Sequence, residues 1–237
     1  MHYRTLGSSG LQVSSLSLGT MTFGDRTDLP EARNIVAAAL ADGVNFIDTA
    51  DNYKLGAAET MTGEAIRETR SHWVLATKVG NPMTKGRNDR GYSRSWIMRE
   101  IEASLQRLQT DYVDLYYMHY DIPEFALEQS LAAIGDLIRA GKIRFFGLSN
   151  FRGWRIAEVV RVCDQLGVPR PVACSPYYNA MNRGPEVEIL PACHHYGLGV
   201  VPYSPIARGV LTGKYPPGQE PAEDTRAGRG DKRMLET

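Results

Sequence analysis

Seven short apolar runs recur along this chain, and the segments between them have helical period. The runs are SLSLGT, VNFID, WVLATKV, YVDLYYMH, IRFFGLSN, PVACS and GVVPYS. They read as parallel strands buried on both faces. The helical segments carry their own start and stop signals. DLPEARNIVAAALADG places Asp28 at the N-cap, Pro30 in the first turn and Gly43 past the end. SRSWIMREIEASLQRL opens on Ser93, and EFALEQSLAAIGDLIRAG, WRIAEVVRVCDQLG and EVEILPACHHYG close on Gly141, Gly167 and Gly197. ETMTGEAIRET has the thinnest helical signal. Alternation of this kind demands a parallel sheet, either doubly wound or closed as a (β/α)8 barrel. No GxGxxG follows any run, so the dinucleotide fingerprint of the doubly wound form is missing and the barrel is favoured.

The opening YRTLGSSGLQVSSL lies outside the repeat and reads as a hairpin around Ser8, Ser9 and Gly10, placed to plug the bottom of a barrel. After the seventh run, PPGQEPAEDTRAGRGDKRMLET is rich in proline, glycine and charge and offers no eighth strand. The expectation is therefore an α/β chain, a (β/α)8 TIM barrel with an N-terminal β-hairpin, lacking strand eight and the last helices. It forms one domain over residues 1–237, incomplete at its C-terminus, and leaves the first and seventh strands as open edges. With 27 basic against 27 acidic residues there is no electrostatic footprint for nucleic acid and no polybasic membrane patch. No apolar run reaches the ~20 residues of a membrane span. The N-terminus has neither a basic leader nor a continuous apolar stretch, which argues against export. Cys163, Cys174 and Cys193 are too widely spaced for a disulfide framework, so a cytoplasmic location is expected.

Parallel barrels gather their chemistry at the C-terminal ends of the strands. Here those ends carry Asp48, Lys78, His119, Ser149, Asn150, Ser175, Tyr203 and Ser204, and Tyr53 follows Asp48 in NFIDTADNY. Taken singly, each has an ordinary explanation. Asp48 suits a turn or a helix cap, His119 a structural histidine, Tyr53 a loop contact. Lys78 fits least well, because a lysine in an apolar strand needs a carboxylate, and Asp48 on the neighbouring strand is the nearest. Together the four define a chemistry. A phenol starts near pKa ~10, and an adjacent cation lowers it by ~1–3 units. Lys78, held by Asp48, is expected to lower Tyr53 in this way, so that the phenol protonates a carbonyl oxygen as hydride reaches the carbon. His119 is positioned to hydrogen-bond the same oxygen.

FIDTADNY, ATKVG, DYVDLYYMH, GLSNF, PYYNAMNR and YSPIARGVLTGKY, in this order and spacing, resemble the motifs of the aldo-keto reductase family over nearly the whole chain. The resemblance implies a barrel that binds NADP(H) across its mouth and reduces a small-molecule carbonyl substrate. It implies a catalytic tetrad at Asp48, Tyr53, Lys78 and His119. It also implies cofactor contacts from Gly19, Thr20, Asp48, Ser149, Asn150, Ser175, Tyr203, Ser204, Pro205, Arg208, Lys214 and Arg226. Within that set Ser149 and Asn150 meet the nicotinamide amide, Tyr203 stacks on its ring, and Lys214 and Arg226 grip phosphates. One departure stands out. The family usually has Gln where CSPYYN has Ser175, which implies looser nicotinamide binding.

Other signals are weaker. Cys193, His194 and His195 are consecutive and do not share a helix face, so no metal site is expected. KGRNDRGYSR reads as a solvated loop that could border the substrate. Phe23, Tyr120 and Trp154 either shape a substrate pocket or simply pack. Rival functions are a Schiff-base enzyme on Lys78, which would need a depressed lysine pKa; a nicotinamide-binding regulatory barrel, like the potassium-channel β-subunits that resemble reductases; and an inactive reductase fragment.

Overall fold

The computed structural model describes residues 1–231 and 234. Two short strands, β1 (Tyr3–Thr5) and β2 (Gln12–Ser14), pair antiparallel as the expected hairpin. Seven further strands form one parallel sheet in chain order: β3 (Leu18–Gly19), β4 (Phe46–Asp48), β5 (Val74–Val79), β6 (Val113–Met118), β7 (Ile143–Ser149), β8 (Ala173–Ser175) and β9 (Gly199–Val200). A helix intervenes between each successive pair: α1 (Leu29–Ala41), α2 (Ala57–Ile66), α3 (Arg94–Leu108), α4 (Leu127–Arg139), α5 (Gly153–Leu166) and α6 (Ile189–Tyr196). This is the β/α order of the expected barrel, with β3 and β9 at the ends of the sheet among the described residues.

The helix ends follow the local chemistry. The Asp28 carboxylate accepts the Glu31 amide at 3.0 Å, and the Ser93 hydroxyl accepts the Trp96 amide at 3.3 Å. Gly167 and Gly197 end their helices in the left-handed region. Gln109 does the same for α3 without being glycine. The thin helical signal over 59–69 becomes α2, continued by a 3-10 stretch from Arg67 to His72. A β-carbon at Gly63 would lie 2.4 Å from the Leu108 carbonyl oxygen, so glycine is what lets α2 approach the end of α3.

Strand period two sorts the core into two layers. Ile47, Leu75, Tyr116, Met118, Phe146, Leu148 and Cys174 face the helices. Phe46, Val74, Ala76, Leu115, Tyr117 and Ala173 face the other way and pack on one another across the sheet, which is therefore curled, with these residues on its inner side. Gly147 belongs to that inner set because the Tyr117 ring occupies its side-chain space; a β-carbon there would sit 2.6 Å from Cε1. Leu6 and Val13 of the hairpin join the same inner cluster. The hairpin thus plugs the end at which the strands begin.

Candidate active site

The inner parity carries through to the C-terminal strand ends. Asp48 follows Phe46, Lys78 follows Ala76, and His119 follows Tyr117, each by two residues, so all three side chains emerge on the concave side. Ser149 and Ser175 obey the same rule on β7 and β8. The ammonium of Lys78 is buried and donates to Asp48 Oδ2 at 2.6 Å, to the Thr49 carbonyl at 2.7 Å and to the Tyr53 hydroxyl at 3.4 Å. Its three hydrogens are all used. Burial alone would pull Lys78 down, but Asp48 and Tyr53 together hold it above its ordinary value. That direction is the opposite of what a Schiff-base lysine needs.

Tyr53 corrects an expectation. Its pKa is raised, not lowered: loss of solvent outweighs the Lys78 ammonium, and Asp48 adds to the rise. The sequence suggests the cation but not the depth at which the phenol is held. Tyr53 remains a protonated phenol that accepts from Lys78, and its own hydrogen has no acceptor among the described residues.

His119 is buried beside them. Its ring stacks on Tyr120 at 4.8 Å and 11° and meets Tyr53 edgewise at 6.0 Å. Burial and the neighbouring Lys78 push it down to about 2, so the imidazole is neutral. Asn81 lies 2.9 Å from its Nδ1.

Around this group, Asn150 adopts a left-handed backbone, φ 59°, and donates to the His119 carbonyl at 3.1 Å and the Ser149 hydroxyl at 2.9 Å. Ser149 donates to the Ser175 carbonyl at 3.2 Å, and the Tyr203 hydroxyl donates to Asn150 at 2.8 Å. Tyr203 stacks on Tyr177 at 5.4 Å, and Arg208 covers the Tyr177 ring at 5.2 Å. Ser204, Ala207 and Arg208 all take positive φ, a concentration of non-glycine strain in the loop after β9. Pro205 is exposed within it. Thr20 is buried and bonds the Asp48 carbonyl through its amide at 3.0 Å, while Gly19 pairs in register with Asp48. Lys214 lies 5.6 Å over the Tyr215 ring, and the Tyr215 hydroxyl accepts the amide of Ala227, next to Arg226, at 3.5 Å. That bond ties the backbone beside Arg226 to the residue after Lys214.

Several neighbours of this group carry no role in the sequence reading, although Tyr177 and Asn179 lie within PYYNAMNR. Asn81, Tyr177 and Asn179, whose amide donates to the Ser204 carbonyl at 3.1 Å, lie just past strand ends, and that placement was the available signal. Asp51, two residues before Tyr53, is fully buried. Behind it Glu59 accepts from Arg107 at 2.6 Å and Glu100 from the same guanidinium at 2.5 Å. Phe23 is a core residue, whereas Tyr120 and Trp154 are exposed. Cys193 is buried with His194 and His195 exposed beside it, and no metal-holding cluster of side chains occurs among the described residues.

The family described as "Aldo/keto reductase family" matches residues 15–232. A probable voltage-gated potassium channel subunit beta from Arabidopsis thaliana is 40% identical over 230 residues, which cover 94% of this chain and 69% of that protein. The uncharacterized oxidoreductase YrpG of Bacillus subtilis (strain 168) is 39% identical, covering 90% and 69%. Protein tas of Escherichia coli (strain K12) is 33% identical over 252 residues, covering 94% and 73%.

Proposed function

The chain belongs to the aldo/keto reductase family, and from that premise we propose that it reduces small aldehydes or ketones to alcohols with hydride from NADPH. The observation that carries this reading is the Tyr53 hydroxyl, which accepts a hydrogen bond from a buried ammonium at 3.4 Å and keeps its own hydrogen unassigned.

The side chains present fit the nicotinamide end of such a cofactor. Its carboxamide offers two donors and an acceptor. Asn150 Oδ1 and Ser149 Oγ each retain a lone pair beyond their internal bonds, and the Ser175 hydroxyl has no partner among the described residues. Tyr203, partly exposed, supplies an aromatic face. Arg208 and Lys214 supply cations for phosphates, and Arg226 is assigned with them. When bound, the cofactor contributes the hydride.

The chain does the rest. The His119 ring and the Tyr53 phenol stand on the same side of the strand ends and both present hydrogens to a carbonyl oxygen. As negative charge grows on that oxygen, Tyr53 gives up its proton. The resulting phenolate is met at once by Lys78, whose charge Asp48 maintains. A raised phenol pKa suits this role, because the donor stays loaded at neutral pH. Asp48 and Lys78 act on Tyr53 and not on the substrate.

In this reading the partner is a carbonyl compound rather than nucleic acid or a membrane, and the location is cytoplasmic. No helix among the described residues is long and apolar enough to cross a membrane. NADPH consumption with an aromatic aldehyde tests the proposal. Tyr53→Phe should cut turnover at least ~100-fold with the cofactor Kd unchanged; equal rates would end it. A second reading, a nicotinamide-binding barrel serving a channel, is favoured by the 40% identity to the Arabidopsis channel subunit. Cofactor binding without turnover of any aldehyde would select it.

A further inference from the structure

Asn81 lies two residues beyond β5, and its Nδ2 is 2.9 Å from Nδ1 of His119. An amide nitrogen only donates, so Nδ1 receives through its lone pair. A neutral imidazole has one ring hydrogen, which must then reside on Nε2. We propose that Asn81 is a positioning residue that locks His119 in the Nε2–H tautomer, giving the site a permanent neutral donor for the substrate oxygen. The kinetic consequence rests on the carbonyl-reduction reading; the tautomer does not.

The surroundings are built to hold this arrangement. Gly80 has φ 135°, and a β-carbon there would come 2.6 Å from the Tyr92 hydroxyl, so glycine is what lets the chain turn just before Asn81, whose amide meets the Nδ1 edge of the ring. The turn is closed by the Gly91 amide donating to the Gly80 carbonyl at 2.8 Å, and the His119 amide donates to the Val79 carbonyl at 2.9 Å. Tyr92 bridges to Tyr120 in both directions, accepting its amide at 2.9 Å and donating to its carbonyl at 2.6 Å. Tyr120 in turn covers one face of the imidazole and Tyr53 stands at its edge. The ring therefore has little freedom to rotate and exchange its nitrogens. The titratable neighbours are Lys78, backed by Asp48, and the phenols of Tyr53 and Tyr120. Burial, with the Lys78 charge added to it, holds off a second proton. Without Asn81, Nδ1 would be free to carry the hydrogen, and Nε2 would turn a lone pair toward the oxygen it is meant to bind.

The test is a long-range 1H–15N correlation spectrum of histidine-labelled protein, paired with kinetics. The parent should show His119 as Nε2–H at every pH from about 5 to 9. Asn81→Asp replaces the donor by an acceptor and should move the hydrogen to Nδ1. Its turnover should fall about 100-fold, the usual loss for one oxyanion donor, with cofactor Kd unchanged. It should also recover on acidification, as the imidazolium regains a hydrogen on Nε2. Asn81→Leu, which neither donates nor accepts, should give a mixture of tautomers. A parent spectrum showing Nδ1–H, or Asn81→Asp and Asn81→Leu both retaining Nε2–H, would overturn the inference. If the parent is as inactive as Tyr53→Phe toward every aldehyde, the reduction reading fails, and the spectra still decide the tautomer.

Discussion

A carboxyl group with no counter-charge of its own sits two residues before Tyr53. Asp51 is fully buried, takes one bond from the Asn52 amide at 2.6 Å, and its other oxygen has no partner among the described residues. Glu59 and Glu100 both pair with the guanidinium of Arg107, so three carboxyls crowd around it. Burial, then Glu59 and Glu100, push Asp51 well above its ordinary 3.8, against the opposing pull of Arg107. As pH rises from 3.8 toward the folded value, the unfolded chain sheds this proton before the folded chain does, and stability falls across that window. Asp51→Asn removes the liability. It should unfold at higher urea than the parent near pH ~7 and match it near pH ~3; a less stable variant near pH ~7 would contradict this account. Ser175 makes a separate prediction. If the proposed NADPH site is right, Ser175→Gln extends a donor toward the nicotinamide amide and should tighten NADPH binding about fivefold by fluorescence titration, the worth of one hydrogen bond of ~1 kcal/mol. Asp48, Lys78 and His119 were legible as residues because polar groups ending apolar runs are conspicuous. Asp51 was not, since nothing in TADNY distinguishes a buried acid from a turn-forming one.

At the level of elements, the hairpin shows how a small contact fixes a large piece. Gly7 has φ 52°, and a β-carbon there would lie 2.2 Å from the Val172 carbonyl oxygen, hard against the start of β8. Gly7→Ala must either push the hairpin off the sheet or strain its own backbone. We expect a loss of about 1–3 kcal/mol in chemical denaturation with the parallel sheet retained; an unchanged midpoint would show that the hairpin does not bear on the inner core. The strands were readable because burial on both faces leaves an unbroken apolar signature. Their ends were readable because Asp28, Ser93, Gly167 and Gly197 do in the structure what their chemistry demands. The left-handed stop at Gln109 was invisible, because glutamine gives no hint of positive φ; the exposed residue caps the α3 carbonyls through its amide and accepts from Arg67 through its side chain.

Across the whole molecule, burial is concentrated in the middle of the sheet. Every residue of β5 and β6 is buried, whereas residues 216–224 are exposed throughout. Hydrogen exchange should follow this gradient, with amides of β5, β6 and β7 the slowest and those after Tyr203 exchanging first. Uniform protection along the chain would refute it. The order of strands and helices, the hairpin and the side of the sheet on which Asp48, Lys78 and His119 emerge were all settled by local pattern, since period two and helix caps act between residues close in sequence. The rise of Tyr53, the neutral state of His119 and its pairing with Asn81 were settled by folding alone. They depend on how much water is lost around each group and on contacts between residues 25 to 38 positions apart, and no short stretch of sequence encodes either quantity.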